Sequence, residues 1–146
     1  LMGLKIKWVM KTELDKIPVF GAACHTLGCI FVDRSNRPAA IQSIHDAMDT
    51  LGKDAAVLFF AEGTRSRDGK LLPFKKGAFI FAAETGLPIL PITIKNSHQV
   101  LPSDSLDLIP GTVDVIVHPA VYLNSTGKAK VAQAMVDIRR TIAHPL

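Results

Sequence analysis

Hydrophobic and polar positions first alternate with a period of two. Residues 4–10, Leu-Lys-Ile-Lys-Trp-Val-Met, predict a strand on that ground. Residues 17–27 are mostly small and apolar and predict a short buried helix. A brief apolar strand at 29–32 then delivers Asp33 and Arg34 at its end. The next stretch predicts a helix: Ser35 or Asn36 can cap it, Pro38 suits its first turn, and Ile41, Ile44, Met48 and Leu51 share one face. Residues 55–61 form a continuous apolar run, the pattern of a strand buried on both faces of a parallel sheet. A polar loop over 62–76 leads into a short helix that starts at Gly77 and that Gly86 can end. Residues 89–94 predict another buried strand and residues 113–118 a further one. The last element is a helix over 128–142, with Val131, Met135, Ile138 and Ile142 on one stripe and Ser125 or Thr126 as its cap.

Strands alternating with helices predict an α/β fold, a mostly parallel sheet with helices packed on it. No repeat, low-complexity tract or linker divides the chain, so one domain is expected. In such sheets ligands sit beyond the carboxyl ends of the strands. Asp33-Arg34 and the stretch from Glu62 both emerge at such ends.

Composition narrows the function. The chain has 146 residues, 48% hydrophobic and 21% charged, with a mean hydropathy of +0.26, so much of it is buried in a core or against lipid. No run of about 18 apolar residues is present to cross a membrane, and residues 1–10 have no signal-peptide pattern. Cys24 and Cys29 lack partners at a zinc spacing and read as buried free thiols of a reducing compartment. The net charge of +4 favours an anionic partner. Its cations fall into two groups, Arg34 with Arg37, and Arg65, Arg67, Lys70, Lys75 and Lys76. Two compact groups suit a phosphate pocket. A nucleic-acid groove would need more aromatic residues than Phe74 alone, so no nucleic-acid partner is expected.

Within the second group Gly63 permits a tight turn directly after a strand. Thr64 and Ser66 offer hydroxyls, and Arg65 and Arg67 offer forked donors that match phosphate oxygens in pairs. Glu62 can hold an arginine in place or bond a substrate hydroxyl. The plainer alternative is a solvated loop in which Asp68-Gly69 is simply a turn. Asp33-Arg34 likewise reads either as a surface ion pair of little energetic worth or as a second phosphate donor. The loop lacks the spacing of a Walker motif.

Three ordered segments carry a resemblance: Gly28-Cys29-Ile30-Phe31-Val32-Asp33-Arg34, then Phe60-Ala61-Glu62-Gly63-Thr64-Arg65-Ser66, then Leu87-Pro88-Ile89-Leu90-Pro91-Ile92. They resemble the second, third and fourth blocks of the glycerolipid acyltransferases, most closely those of bacterial 1-acylglycerol-3-phosphate acyltransferases. The stretch from Lys11 to Pro18 resembles the segment before the second block, so the likeness spans residues 4 to about 97.

The resemblance implies a glycerol-3-phosphate acyltransferase-like fold. It also implies acyl transfer from acyl-CoA or acyl carrier protein, as co-substrate, to a lysophospholipid acceptor, giving phosphatidic acid. Arg34 would bind the acceptor's phosphate. Glu62 and Arg65 would help bind the glycerol phosphate, with Gly63, Thr64 and Ser66 shaping the turn, and Pro88 to Ile92 would line the acceptor or acyl site. Arg34 and Arg65 are then expected to reach a common anion. No metal and no further cofactor is implied. The membrane surface is the expected partner, at the cytoplasmic face of a bacterial inner membrane.

Two departures stand out. Ala61 occupies the place of a usual Pro, which loosens the turn without removing a functional group. The family's first block, His, four residues, then Asp, supplies its catalytic base, and no such spacing occurs in this sequence. His45 to Asp49 is one residue too short and comes after the second block. The expectation is therefore a catalytic pair upstream of Leu1, no catalytic residue within this chain and little turnover by the chain alone. His25 is expected to have a structural role. The alternative is a non-catalytic module that binds anionic lipid headgroups.

Overall fold

The computed structural model describes residues 5–33, 36–49, 55–103, 105, 107–123 and 127–146; within the second of these the side chains of Arg37, Ala40, Ile41, Ala47, Met48 and Asp49 lie outside the description. The chain divides into two compact units, Leu1–Phe60 and Ala61–Leu146.

The first unit is built on a three-stranded sheet. Strand β1 (Lys5–Lys11) lies between β2 (Ile30–Val32) and β3 (Ala55–Leu58) and is parallel to both. Val9 is opposite Ile30, and Lys5 opposite Ala55. Parallel strands end at one edge, so Asp33 follows β2 and Phe59 and Phe60 follow β3 at the same edge of this sheet. Residues 55–58 are half-buried rather than buried on both faces, and the strand stops short of the expected Ala61. In the described sheet β3 is an edge strand that pairs with β1.

Between β1 and β2 run a 3₁₀ turn (Thr12–Lys16) and helix α1 (Phe20–Thr26). The buried helix expected here is mostly exposed: only Gly21 and Cys24 are buried. Lying three apart, they form the single face that a seven-residue helix can turn inward. Ile17, Val19, Phe20 and Leu27 are exposed, and Val19, at φ 67° and ψ −48°, is the centre of a γ-turn closed by the Phe20 N–H on the Pro18 carbonyl at 2.7 Å, a positive-φ conformation that β-branched residues avoid. Helix α2 (Arg37–Asp49) packs on β2. Asn36 caps it, its Oδ1 accepting the Ala39 N–H at 3.2 Å. Ile44 is buried as its pattern predicts; the side chains of Ile41 and Met48 are not among those described, and Ser35 and Leu51 lie outside the described residues.

The second unit holds α3 (Gly77–Thr85), β4 (Ile92–Lys95), the four-residue α4 (Ser97–Val100), β5 (Asp114–Val117) and α5 (Lys128–Ala143). Its core joins Phe79 and Ala83 of α3 to Val131 and Ile138 of α5, with Phe74, Ile89, Met135 and Ile142 packed around them. All four residues of the expected α5 stripe therefore face this core. Gly127 occupies the α5 cap position, and Ser125 and Thr126 lie outside the described residues. Gly86, at φ 70°, ends α3 as expected.

Strands β4 and β5 pair antiparallel, Ile92 opposite Val117. The strand expected at 89–94 starts only at Ile92, because Pro91 has no N–H to give to a ladder. Its carbonyl still accepts the His118 N–H at 3.0 Å, and Ile89 makes an isolated bridge to Val121. Thr93 is fully buried. Its hydroxyl donates to the Ile142 carbonyl at 2.9 Å and lies 2.8 Å from His118 Nε2, joining β4 to the end of α5. The parallel sheet of the first unit with its helices gives the expected α/β, mostly parallel class.

Candidate functional site

The polar loop over 62–76 opens the second unit, and its backbone is held at short intervals. Gly63 has φ 73°, a conformation that a Cβ would strain, so the turn after the strand needs glycine there. The half-buried Glu62 accepts the Leu72 N–H on Oε2 at 2.6 Å, closing the loop across ten residues. The Lys75 N–H donates to the Ala61 carbonyl at 2.7 Å, one step outside that closure. Asp68 and Gly69 form the expected turn. Asp68 Oδ1 accepts the Ser66 hydroxyl at 3.0 Å and the Lys70 N–H at 3.1 Å. The Lys70 backbone N–H, followed by the Ser66 hydroxyl, holds the Asp68 carboxyl below its ordinary range.

Three further contacts seat the loop. Gly69 lies against the His98 ring, where a Cβ would come within 2.5 Å of the ring's Cε1. Arg139 of α5 donates from Nη2 to the Leu71 carbonyl at 2.9 Å. Phe74 stacks on Phe79 with centroids 6.2 Å apart, joining the loop's return to the core.

Against this fixed backbone Thr64 and Arg65 are exposed, and neither makes a hydrogen bond or ion pair with a described residue. The exposed Arg65 thus carries its five N–H donors on a held loop. Lys75 and Lys76 are exposed as well, directly before the N-terminus of α3, which carries no side-chain cap. Cations beside the positive end of a helix make an environment for an anion.

The expected site residues fare differently. Gly63 shapes the turn as anticipated. Ser66 gives its hydroxyl proton to Asp68, and Glu62 accepts a backbone N–H. Arg34 lies outside the described residues. His25 pairs with Asp15, Nε2 to Oδ1 at 2.7 Å, and its ring lies 4.9 Å from that of Phe31, which ties α1 to the turn before it and to β2. Cys24 is buried and Cys29 half-buried, both as free thiols. Burial, reinforced by Cys29, pushes the Cys24 thiol up. No cluster of three or more His, Cys, Asp or Glu suited to a metal occurs among the described residues. No described helix is long and apolar enough to cross a membrane.

Arg139 and His98 were not foreseen as part of this loop's support. Arg139 is 68 positions from the carbonyl it binds. Its one local signal is its place beside Ile138, on a helix whose stripe faces the core to which the loop returns.

The family model for acyltransferases matches residues 3–95. A 1-acyl-sn-glycerol-3-phosphate acyltransferase of Brassica napus, the chloroplastic BAT2, is 37% identical over 141 residues, which cover 92% of this chain and 41% of the relative. The Pseudomonas aeruginosa protein of that activity name is 34% identical over 152 aligned positions, covering 94% of this chain and 59% of the relative. Among solved structures, the 1-acyl-sn-glycerophosphate (LPA) acyltransferase PlsC of Thermotoga maritima superposes with a TM-score of 0.74 at 26% identity, over 97% of this chain and 57% of that one. The chain thus spans about two fifths to three fifths of the length of these relatives. With its family model covering all three blocks, the chain belongs to the acyltransferase family.

Proposed function

We propose that the protein carrying this chain transfers a fatty acyl group from a thioester, acyl-CoA or acyl carrier protein, to the free hydroxyl of 1-acylglycerol-3-phosphate, and that this chain holds the acceptor. The observation that carries the reading is Arg65: a guanidinium without a protein partner among the described residues, presented by a loop whose backbone is already fixed. A guanidinium binds two phosphate oxygens at once. Preordering the loop lowers the entropy lost when the acceptor binds. In this reading Arg34 also contacts the phosphate and Glu62 the glycerol phosphate, while Gly63, Thr64 and Ser66 shape the turn.

The reaction needs the acceptor's oxygen to attack the thioester carbonyl, the C–S bond to break and the hydroxyl proton to pass through a base to the leaving thiolate. The family's His–Asp block supplies that base, and the sequence of this chain does not contain it. The contribution of these residues is alignment: they hold the phosphate so that the hydroxyl meets base and thioester together. Acceptor and product are both bilayer lipids, so the protein works at a membrane surface, at the cytoplasmic face of a bacterial inner membrane.

The test is steady-state kinetics of the full-length protein and its Arg65→Lys variant, with acceptor and donor varied separately. Lysine keeps the charge and loses the fork. A lost charge-assisted bond costs on the order of 1.5–3 kcal/mol, so kcat/KM for the acceptor should fall about ten- to hundredfold while the donor KM stays within twofold. Unchanged acceptor kinetics, or a defect confined to the donor, would remove Arg65 from the phosphate.

A further inference from the structure

Leu71 and Leu72 share one peptide group, and that group is gripped from both edges. Arg139 Nη2 donates to its carbonyl oxygen at 2.9 Å, and Glu62 Oε2 accepts its N–H at 2.6 Å. A cation thus meets the negative end of the amide dipole and an anion the positive end, and both bonds are charge-assisted. Turning the peptide plane would break both together. The Glu62 bond closes the loop on itself and encloses Thr64, Arg65 and Ser66 in the ring so formed. The Arg139 bond ties that ring to a helix seated in the core through Val131 and Ile138. Arg139 also lines a groove with Pro73, Phe74, Met135 and Val136, so its stem runs along the returning limb of the same loop.

We propose that Arg139 is a positioning residue for the acceptor's phosphate: without touching substrate, it anchors the Leu71–Leu72 peptide to α5 and so fixes where Arg65 is presented. This inference rests on the reading of Arg65 as a phosphate ligand. It goes beyond that reading by making the C-terminal helix part of the acceptor site.

The experiment uses the full-length protein with Arg139→Met, which keeps the apolar stem and loses the donors, and Arg139→Gln, a shorter polar replacement. Arg140→Met, on the neighbouring position, is the control. Loss of one anchoring bond should raise the acceptor KM about three- to tenfold, with a smaller change in kcat and a donor KM within twofold of wild type. Arg139→Lys, which can still donate to the carbonyl, should recover most of the effect. A purely structural role would lower the melting temperature and the active fraction without splitting the two KM values. Amide hydrogen exchange should also quicken across residues 64–72 in Arg139→Met and not in Arg140→Met. A folded Arg139→Met or Arg139→Gln protein with acceptor KM within twofold of wild type and unchanged loop exchange would overturn the proposal. Arg65→Lys, measured alongside, separates the two readings. If it leaves acceptor KM unaltered, the phosphate assignment falls, and the anchoring role is then decided by loop exchange alone: faster exchange supports it and unchanged exchange overturns it.

Discussion

Residues 17–27 and residues 62–76 have exchanged the fates their compositions suggest. The first segment is small and apolar, yet Val19 is 84% and Leu27 67% exposed, and its helix begins from a valine at positive φ, the centre of a γ-turn. The second is polar and charged, yet its backbone is gripped by Glu62, Asp68, Arg139 and the Ala61 carbonyl. Apolar content lowers the cost of burial but supplies no direction. Hydrogen bonds between side chains and backbone are directional, and each one fixes a particular peptide group. On the proposed reading of Arg65, a loop that presents one arginine is held by polar groups.

If that contrast is right, removing the loop's central acceptor should have the largest effect. Glu62→Ala leaves the Leu72 N–H without its carboxylate and forfeits about 1.5–3 kcal/mol of local order. Amide exchange across the loop should speed up markedly, and acceptor kcat/KM should fall about ten- to hundredfold. Glu62→Gln keeps an acceptor oxygen and should restore much of the exchange protection. Unchanged exchange in Glu62→Ala would break the contrast from the polar side.

The apolar side offers a smaller effect of opposite sign. At φ 67° and ψ −48° Val19 lies in a sparsely populated region that costs an L-residue on the order of 1–3 kcal/mol, and glycine carries an entropic penalty of about 0.5–1 kcal/mol in return. Val19→Gly should therefore stabilise the protein by up to about 2 kcal/mol, seen as a higher urea midpoint at constant slope. A lower midpoint would mean that the exposed valine side chain packs after all.

The smallest effect is acid loosening of the Asp68 turn. Its carboxyl is held below the ordinary value of 3.8 in the folded protein, chiefly by the Lys70 N–H. The stabilisation is thus complete above the ordinary carboxylate value and is lost as pH falls through the lowered one. Between neutral pH and about 5 the Lys70 amide resonance should hold still, and it should shift only in stronger acid. Movement near neutrality would assign the turn to another group.

What the sequence made legible follows the same division. Periodicity found the α5 stripe, because a face buried along a whole element leaves a repeat; it also located β1, although exposure along that strand does not alternate and Trp8 is exposed. Local chemistry found the Asn36 cap, the Gly86 helix end and the Asp68-Gly69 turn, since each is decided within four residues. Ordered blocks located the loop and its arginine. The exposure of α1 was hidden because small apolar residues look alike in either setting. The late start of β4 turned on the missing N–H of Pro91, which an apolar count passes over. The Arg139 bond left no trace, because it joins positions that only the packing of α5 brings together.

The buried hydroxyl of Thr93 settles a question of proton ownership. Its single proton goes to the Ile142 carbonyl, which can only accept. The bond to His118 must then be made with the ring's own proton, so the imidazole is kept as the Nε2–H tautomer. The latch that seats the last turn of α5 against β4 therefore runs in one sense, from the His118 ring through Thr93 to the Ile142 carbonyl. The helix that carries Arg139 is thus fastened through one buried hydroxyl, which gives its only proton to the helix and takes another from the ring.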